Sequence, residues 1–362
     1  MKKRSLAGAV LVMALVAVGL TAGASAAPRR AQLTNVTLQT KWAPQAQFAG
    51  YYAAVKQGFY AKEGLNVKLL NGGPNIIPEQ VVASGQAQFG LDWLPSLLSA
   101  RDKGTALINI AQVFARSGMT QLTWKSSGIT TIAGLRGKKV GNWLGGNQYE
   151  LFAALTKNGI DPNNKKDISI VAQPFSMDLF LKHQVDSASA MTYNELAQVL
   201  EAGTKLSQIN VIKMQDVGTG MLEDGIFTTE SWLKSTANQA TAVSFIKASL
   251  EGWIFCRDHP ATCVQDTLDF GPTLPKGHQT WMMNEINKLV WPTKSGIGIM
   301  SKADYARTAK ISQQFGVIKK APSGAYRTDL AAKAVAELKA AGDDVYGKNW
   351  VAPVVQVTPG GK

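Results

Sequence analysis

The sequence predicts an α/β protein of two lobes with a hinge and a cleft between them, and three observations carry that expectation. From residue 35 short β-like runs alternate with amphipathic helical stretches; near residue 122 that series gives way to a second one, which runs to about Gly220; the remainder of the chain is mainly helical. A chain that builds one α/β block, crosses to a second and returns makes two crossings, and paired crossings form a hinge.

The first series opens with VTLQT and then QFAGYYAAVKQGF, where Phe48, Tyr52, Val55 and Phe59 share one helical stripe. LNVKLL, IPEQVVAS and AQFGLD come next, then a helix over Leu94–Asp102. LINIAQVFA and MTQLTW read as the last strand of a lobe and a crossover. The second series contains KKVGNW, a helix at 148–157, DISIVA, a helix near 177–182, SASAM, a helix at 194–202 and INVIKM. Further on, Val243, Ile246, Leu250 and Trp253 line one helix face, and Leu330, Ala334, Leu338 and Ala341 another, which Gly342 closes as a C-cap. The expected division is 33–122 for the first part of lobe 1, 123–220 for lobe 2, 221–350 for a helical return to lobe 1, and a loose Pro- and Gly-containing tail at 351–362.

Lys2, Lys3 and Arg4 precede an apolar run at residues 6–20 and the small residues Ala24, Ser25 and Ala26. That order is a secretory signal peptide at 1–26, since the apolar run is short for a membrane anchor. No Cys stands near the cleavage point to take a lipid, so the mature chain is expected to be soluble, periplasmic or secreted. The formal charge of +13 falls to about +10 without the leader. Lys and Arg are scattered singly or in pairs and never form a basic stripe with aromatics between, so no nucleic-acid partner is expected. Cys256 and Cys263 are the two cysteines, separated by a turn that ends at Pro260. In an oxidising compartment a disulfide is the natural expectation, with free thiols the alternative.

His183, His259 and His278 fall in no metal-binding spacing, no G-x-S-x-G elbow occurs, and GDDVYGKN at 342–349 follows a helix and ends in Asn where a phosphate loop needs Ser or Thr. The reading therefore calls for no metal, no cofactor and no catalytic residue. What stands out are aromatic, amide and acidic residues at the ends of predicted strands, where α/β sheets bind ligands. They form four clusters: Trp42, Gln45, Gln47 and Tyr51; Asp92 and Trp93; Trp143, Gly145, Gly146 and Asn147; Tyr193, Asn194 and Glu195. Trp42 reads as a stacking platform or as a cap on the core. The paired glycines let the backbone approach a ligand. Glu195 reads either as a helix-start charge or as an acceptor for an N–H of a bound ring. Asp224, beside Glu223 at the second crossing, belongs at the hinge or the cleft mouth.

KWAPQAQFAGYYAAVKQGFYAKEGLNV, GNWLGGNQYELFAAL, MTYNELAQVLEAG and EDGIFTTESWL together resemble the binding proteins related to thiamine-pyrimidine synthase, within the group that includes sulfonate- and nitrate-binding proteins. The resemblance spans nearly all of the mature chain. It implies a type 2 periplasmic-binding-protein fold, a monomer serving an ABC-type membrane permease with a cytoplasmic ATPase, and a small-molecule ligand: a formylaminopyrimidine precursor of thiamine, or riboflavin. It also implies two alternatives, binding of a sulfonate, nitrate or other small anion, and synthase activity. The synthases of the group carry a clustered-cysteine motif that this chain does not have, and a compact anion pocket would hold fewer aromatics than Trp42, Trp93, Trp143 and Tyr193 supply.

Overall fold

Runs rich in Val, Ile and Leu become the strands of two five-stranded sheets. The computed structural model describes Met1 and residues 32–362; all but Met1 of the expected signal peptide lies outside the described residues. The first sheet contains β1 (Thr34–Gln39), β2 (Leu65–Leu70), β3 (Phe89–Trp93), β4 (Leu107–Gln112) and β10 (Asp224–Thr229), in the order β2-β1-β3-β10-β4. The second contains β5 (Met119–Trp124), β6 (Lys139–Asn142), β7 (Ser169–Ala172), β8 (Ser187–Met191) and β9 (Ile209–Lys213), in the order β7-β6-β8-β5-β9.

In the first sheet β1 runs parallel to β2 and β3, while β10 runs antiparallel to β3 and β4. In the second, β6 runs parallel to β7 and β8, while β5 opposes β8 and β9. Each sheet thus takes its one opposed strand from a chain that has just crossed over. The first crossing occupies 113–118, because Met119 already pairs with Met191; this is a few residues before the boundary at 122 that the sequence suggests. DGIFTT, expected within a helical return, is strand β10, inserted between β3 and β4. Six residues are too few for a two-residue alternation to stand out beside helical neighbours.

The helices are numbered in chain order. On the first pass these are α1 (Ala49–Lys56), α2 (Phe59–Lys62), α3 (Pro78–Ala83) and α4 (Leu94–Asp102). With the second sheet come α5 (Tyr149–Lys157), α6 (Asp178–Leu181), α7 (Glu195–Glu201) and α8 (Met214–Val217). After β10 come α9 (Thr236–Asp258), α10 (Pro260–Phe270), α11 (Lys276–Val290), α12 (Lys302–Gln314) and α13 (Asp329–Ala340). Among the described residues no helix is long and apolar enough to cross a membrane.

The core under the first sheet is aromatic. Phe245 of α9 stacks on Phe89 of β3 at 4.2 Å between ring centroids, and Tyr60 stacks on Phe245 at 5.3 Å. Where α1 crosses α9, Gly252 faces the backbone of Gly50, and Gly50 faces the Trp253 indole. Two glycines at the crossing let a buried tryptophan sit directly against helix backbone. Cys256 at the end of α9 is bridged to Cys263 in α10, with 5.4 Å between the Cα atoms. The segment 351–362, expected to be loose, ends in a single turn at Pro359–Gly361 whose Gly361 is buried against His278 and Glu201. Proline and glycine content describes local backbone preference; it is blind to the α7 and α11 surfaces that receive this turn.

Candidate functional site

The carboxyl ends of the parallel strands in both sheets point toward one cavity. Lys41 and Trp42 lie just past β1, Trp93 ends β3, Trp143 follows β6, and Tyr193 follows β8. Because β10 is antiparallel, its first residue rather than its last sits at this end, with Asp224 in register with Trp93. The cavity is lined by these aromatic residues together with Lys41, Gln45, Gln47, Asn147, Met191, Asn194 and Glu195, and is narrow, with about 20 Å³ open to the centre of a water-sized sphere.

The two lobes contribute opposite walls. Trp42 stacks with Phe175, beyond β7, at 6.3 Å between centroids and 28° between planes. The Trp143 indole N–H donates to the Pro174 carbonyl at 3.3 Å, which holds that ring in its wall. Trp93 and Tyr193 are each 2% exposed. The Trp93 indole nitrogen is buried and has no hydrogen-bond partner among the described residues, and neither has Asp224 Oδ1.

Charge at the site is mostly acidic and mostly buried. Lys41 is ion-paired with Asp92, and its ammonium lies 4.9 Å from the centroid of Trp93. Burial by itself would lower Lys41, but the field of Asp92, with Glu79 and Asp224 adding to it, leaves it raised. Burial, reinforced by the charge of Asp92, pushes Glu79 well above the carboxylate range. Glu195 accepts a hydrogen bond from Met191 N at 2.9 Å, yet burial pushes it up to about 7. Asp224 accepts from Gln47 Nε2 at 2.9 Å and is likewise pushed by burial up to about 7. Both carboxyls therefore stand near the point where they exchange a proton at neutral pH, and Glu195, which lines the cavity, can accept from, or donate to, a polar ring edge.

Nine of the sequence candidates line this cavity: Trp42, Gln45, Gln47, Trp93, Trp143, Asn147, Tyr193, Asn194 and Glu195. Asp92 and Asp224 stand behind its wall, holding Lys41 and Gln47. Tyr51 does not reach it: α1 turns this ring into the core, edge-on to Trp253 at 5.8 Å. Gly145 and Gly146 face a separate hollow beside α3 and α4, with both N–H groups held by Gln148 Oε1. Lys41, Met191 and Phe175 were not among the candidates. Lys41 and Met191 adjoin Trp42 and Thr192 at strand ends and carried the same positional signal; Phe175 lies beyond β7 in the same way but is three residues removed.

Residues 45–263 match the family described as NMT1/THI5 like. This chain belongs to that family. It is 26% identical over 251 residues to the riboflavin-binding protein RibY of Chloroflexus aurantiacus, covering 68% of this chain and 69% of RibY. With the formylaminopyrimidine-binding protein of Halalkalibacterium halodurans it shares 31% identity over 81 residues, 22% of this chain and 24% of that one. Among solved structures it resembles the periplasmic aliphatic sulphonate binding protein SsuA of Escherichia coli, with a TM-score of 0.62 at 15% identity over 80% of this chain and 90% of SsuA. At that identity the likeness is one of fold, the two-lobed α/β architecture of periplasmic binding proteins.

Proposed function

We propose that this chain is the extracytoplasmic substrate-binding component of an ABC importer, and that it captures a small amino-substituted aromatic heterocycle of the thiamine-pyrimidine type without chemical change. It acts as a monomer and delivers its ligand to a membrane permease driven by a cytoplasmic ATPase. The observation that carries this reading is the cavity wall: Trp42, Trp93, Trp143 and Tyr193 surround amides and Glu195, and the one cation among the lining residues, Lys41, is already paired with Asp92. Flat rings stack on such faces, and an amino or ring N–H finds acceptors at Glu195 and the glutamine oxygens. RibY and the formylaminopyrimidine-binding protein, whose names are those of heterocycle binders, supply the functional parallel.

A sulfonate or nitrate would enter beside buried Glu195 and Asp224 with no unpaired cation in the lining to receive it, which disfavours the anion alternative. Synthase activity is disfavoured by cysteine usage, since both cysteines are committed to one disulfide remote from the cavity lining. The test is a thermal-shift panel with formylaminopyrimidine, thiamine, riboflavin and an aliphatic sulfonate on protein stripped of bound ligand. A ligand at about 100 times its Kd adds about 2.7 kcal/mol of stability, a readily measured rise in Tm. A shift with formylaminopyrimidine and none with the sulfonate is the expected pattern; the reverse pattern returns the protein to the anion binders. Recovery of the bound compound with unaltered mass separates capture from catalysis.

A further inference from the structure

Three side-chain amides and one imidazole are joined end to end between two carboxyl groups. Gln47 Nε2 donates to Asp224 Oδ2 at 2.9 Å, Gln45 Nε2 donates to Gln47 Oε1 at 2.6 Å, and Asn194 Nδ2 donates to Gln45 Oε1 at 3.2 Å. Beyond them, His278 Nε2 lies 2.9 Å from Asn194 Oδ1, and His278 Nδ1 lies 2.8 Å from Glu201 Oε1. Gln45, Gln47, Asn194, Asp224 and His278 are each more than nine-tenths buried, so water cannot easily substitute for a missing partner. The Asn194 to Gln45 link joins the two lobes, one residue following β8 and the other following β1.

Such a series has a polarity. An amide donates at one end and accepts at the other, so three in a row must point the same way. A carboxylate at Asp224 only accepts; that orients Gln47, then Gln45, then Asn194, and leaves Asn194 Oδ1 facing the ring. Gln198 Nε2 donates to the same oxygen at 3.2 Å and reinforces that orientation. With acceptors on both sides, the His278 ring donates from both nitrogens, and Glu201 balances its charge. If the ring gives up the proton at Nε2, two acceptors meet there. Turning all three amides over, with Gln198 turned as well so that its oxygen meets Asn194 Nδ2, moves the conflict to the other end, where Gln47 Oε1 then faces Asp224, and it disappears only if Asp224 takes a proton. The series is therefore satisfied by one proton, seated on the His278–Glu201 pair or at Asp224.

We propose that this series is a one-proton orienting device, in which His278 and Glu201, outside the cavity lining, are positioning residues that decide whether Gln45 and Gln47 turn donors or acceptors toward a given part of the cavity. The functional consequence rests on the reading of that cavity as the ligand site; the series itself does not. Burial that pushes Asp224 up to about 7 makes it a workable second seat. Around Asp224 the charged and titratable neighbours are Lys41, Asp92, Glu223, Tyr51 and Tyr193. Around His278 they are Glu201 from α7 and the terminal Lys362, whose backbone packs with Gly361 on the first turn of α11.

The test needs no ligand, so failure to find a cargo and failure of the series are separate results. The chain has three histidines, and His183 and His259 are exposed. With those two replaced by Gln, ring-15N-labelled histidine reports on His278 alone, while the side-chain NH₂ signals of Gln45 and Gln47 are followed in the same samples. The expected result is that the Gln45 and Gln47 signals move at the same pH at which the His278 ring changes its protonation state, and that Glu201→Gln moves all three together. Gln45 and Gln47 signals indifferent to the state of His278, or a Glu201→Gln protein in which the ring and the amide signals behave as in the wild type, would each overturn the proposal.

Discussion

Trp42 carries the sharpest residue-scale prediction because it stands between two roles. It is partly exposed, stacks loosely on Phe175 of the facing lobe and lines the cavity, so it is a wall of the site rather than a core plug. Trp42→Ala is expected to weaken binding of formylaminopyrimidine by about 1–3 kcal/mol in calorimetric titration, the usual cost of a lost stacking partner, with a small change in Tm. Undiminished affinity would remove Trp42 from the site. Glu195 makes a different prediction. One of its oxygens is held by Met191 N, and burial keeps the carboxyl close to protonation, so Glu195→Gln preserves the shape while removing the option of charge. Its affinity should fall about tenfold or more for amino-bearing rings and far less for analogues without the amino group. An equal loss for every ligand would assign Glu195 to holding the β8–α7 turn.

At the scale of elements, the α1–α9 crossing decides how closely the helical return approaches the first sheet. A methyl group built on Gly252 runs into the carbonyl oxygen of Gly50, which is helix backbone and cannot swing aside. Alanine would add up to about 1 kcal/mol of helix propensity, but relieving the overlap requires separating two helices that enclose Trp253. Overpacking wins: Gly252→Ala should destabilise by about 1–3 kcal/mol, read as a lower urea midpoint at unchanged m-value. A stabilised variant would mean the two helices slide freely. Strand β10 makes a second element-scale point. Its antiparallel insertion beside β3 brings Asp224 from late in the chain to a cavity otherwise built from the carboxyl ends of strands, and Asp224 in turn holds Gln47.

For the whole molecule, buried carboxyls set an unusual pH dependence. Glu195 and Asp224 are raised to about 7 and Glu150 to about 8, in each case chiefly by burial, and burial also pushes Glu79 and Glu223 well above the carboxylate range. In the unfolded chain these groups lose their protons near about pH 4, so across the interval up to about 8 the native state holds protons the unfolded state has released. Their contribution to stability is thus complete below the unfolded values and is lost as pH rises through about 7 to 8. The Tm of the ligand-free protein is expected to fall from about pH 5 to about pH 8 at constant ionic strength, and Glu150→Gln should flatten that slope. A Tm that rises over the same range would mean that these carboxyls are ionised and paired in the native state.

The strand and helix alternation, the break between two blocks, and the aromatic and amide residues at strand ends were all legible in the sequence, because hydrophobic period and strand-end position are local properties. Nine candidates consequently converge on one cavity. Locality also explains the failures. Tyr51 has the composition of a site residue, but the helix phase of α1 points it at Trp253, and Gly145 and Gly146 look like a ligand loop while their amides are claimed by Gln148. Nothing local in the sequence pairs Lys41 with Asp92, 51 residues away. Sequence alone determined which residue types arrive at the ends of the strands. Only the tertiary structure decided which of them face the cavity, which are neutralised behind it, and that amides from two lobes join a histidine and two acids in one directional series, since partner choice and hydrogen-bond polarity arise only when distant segments meet.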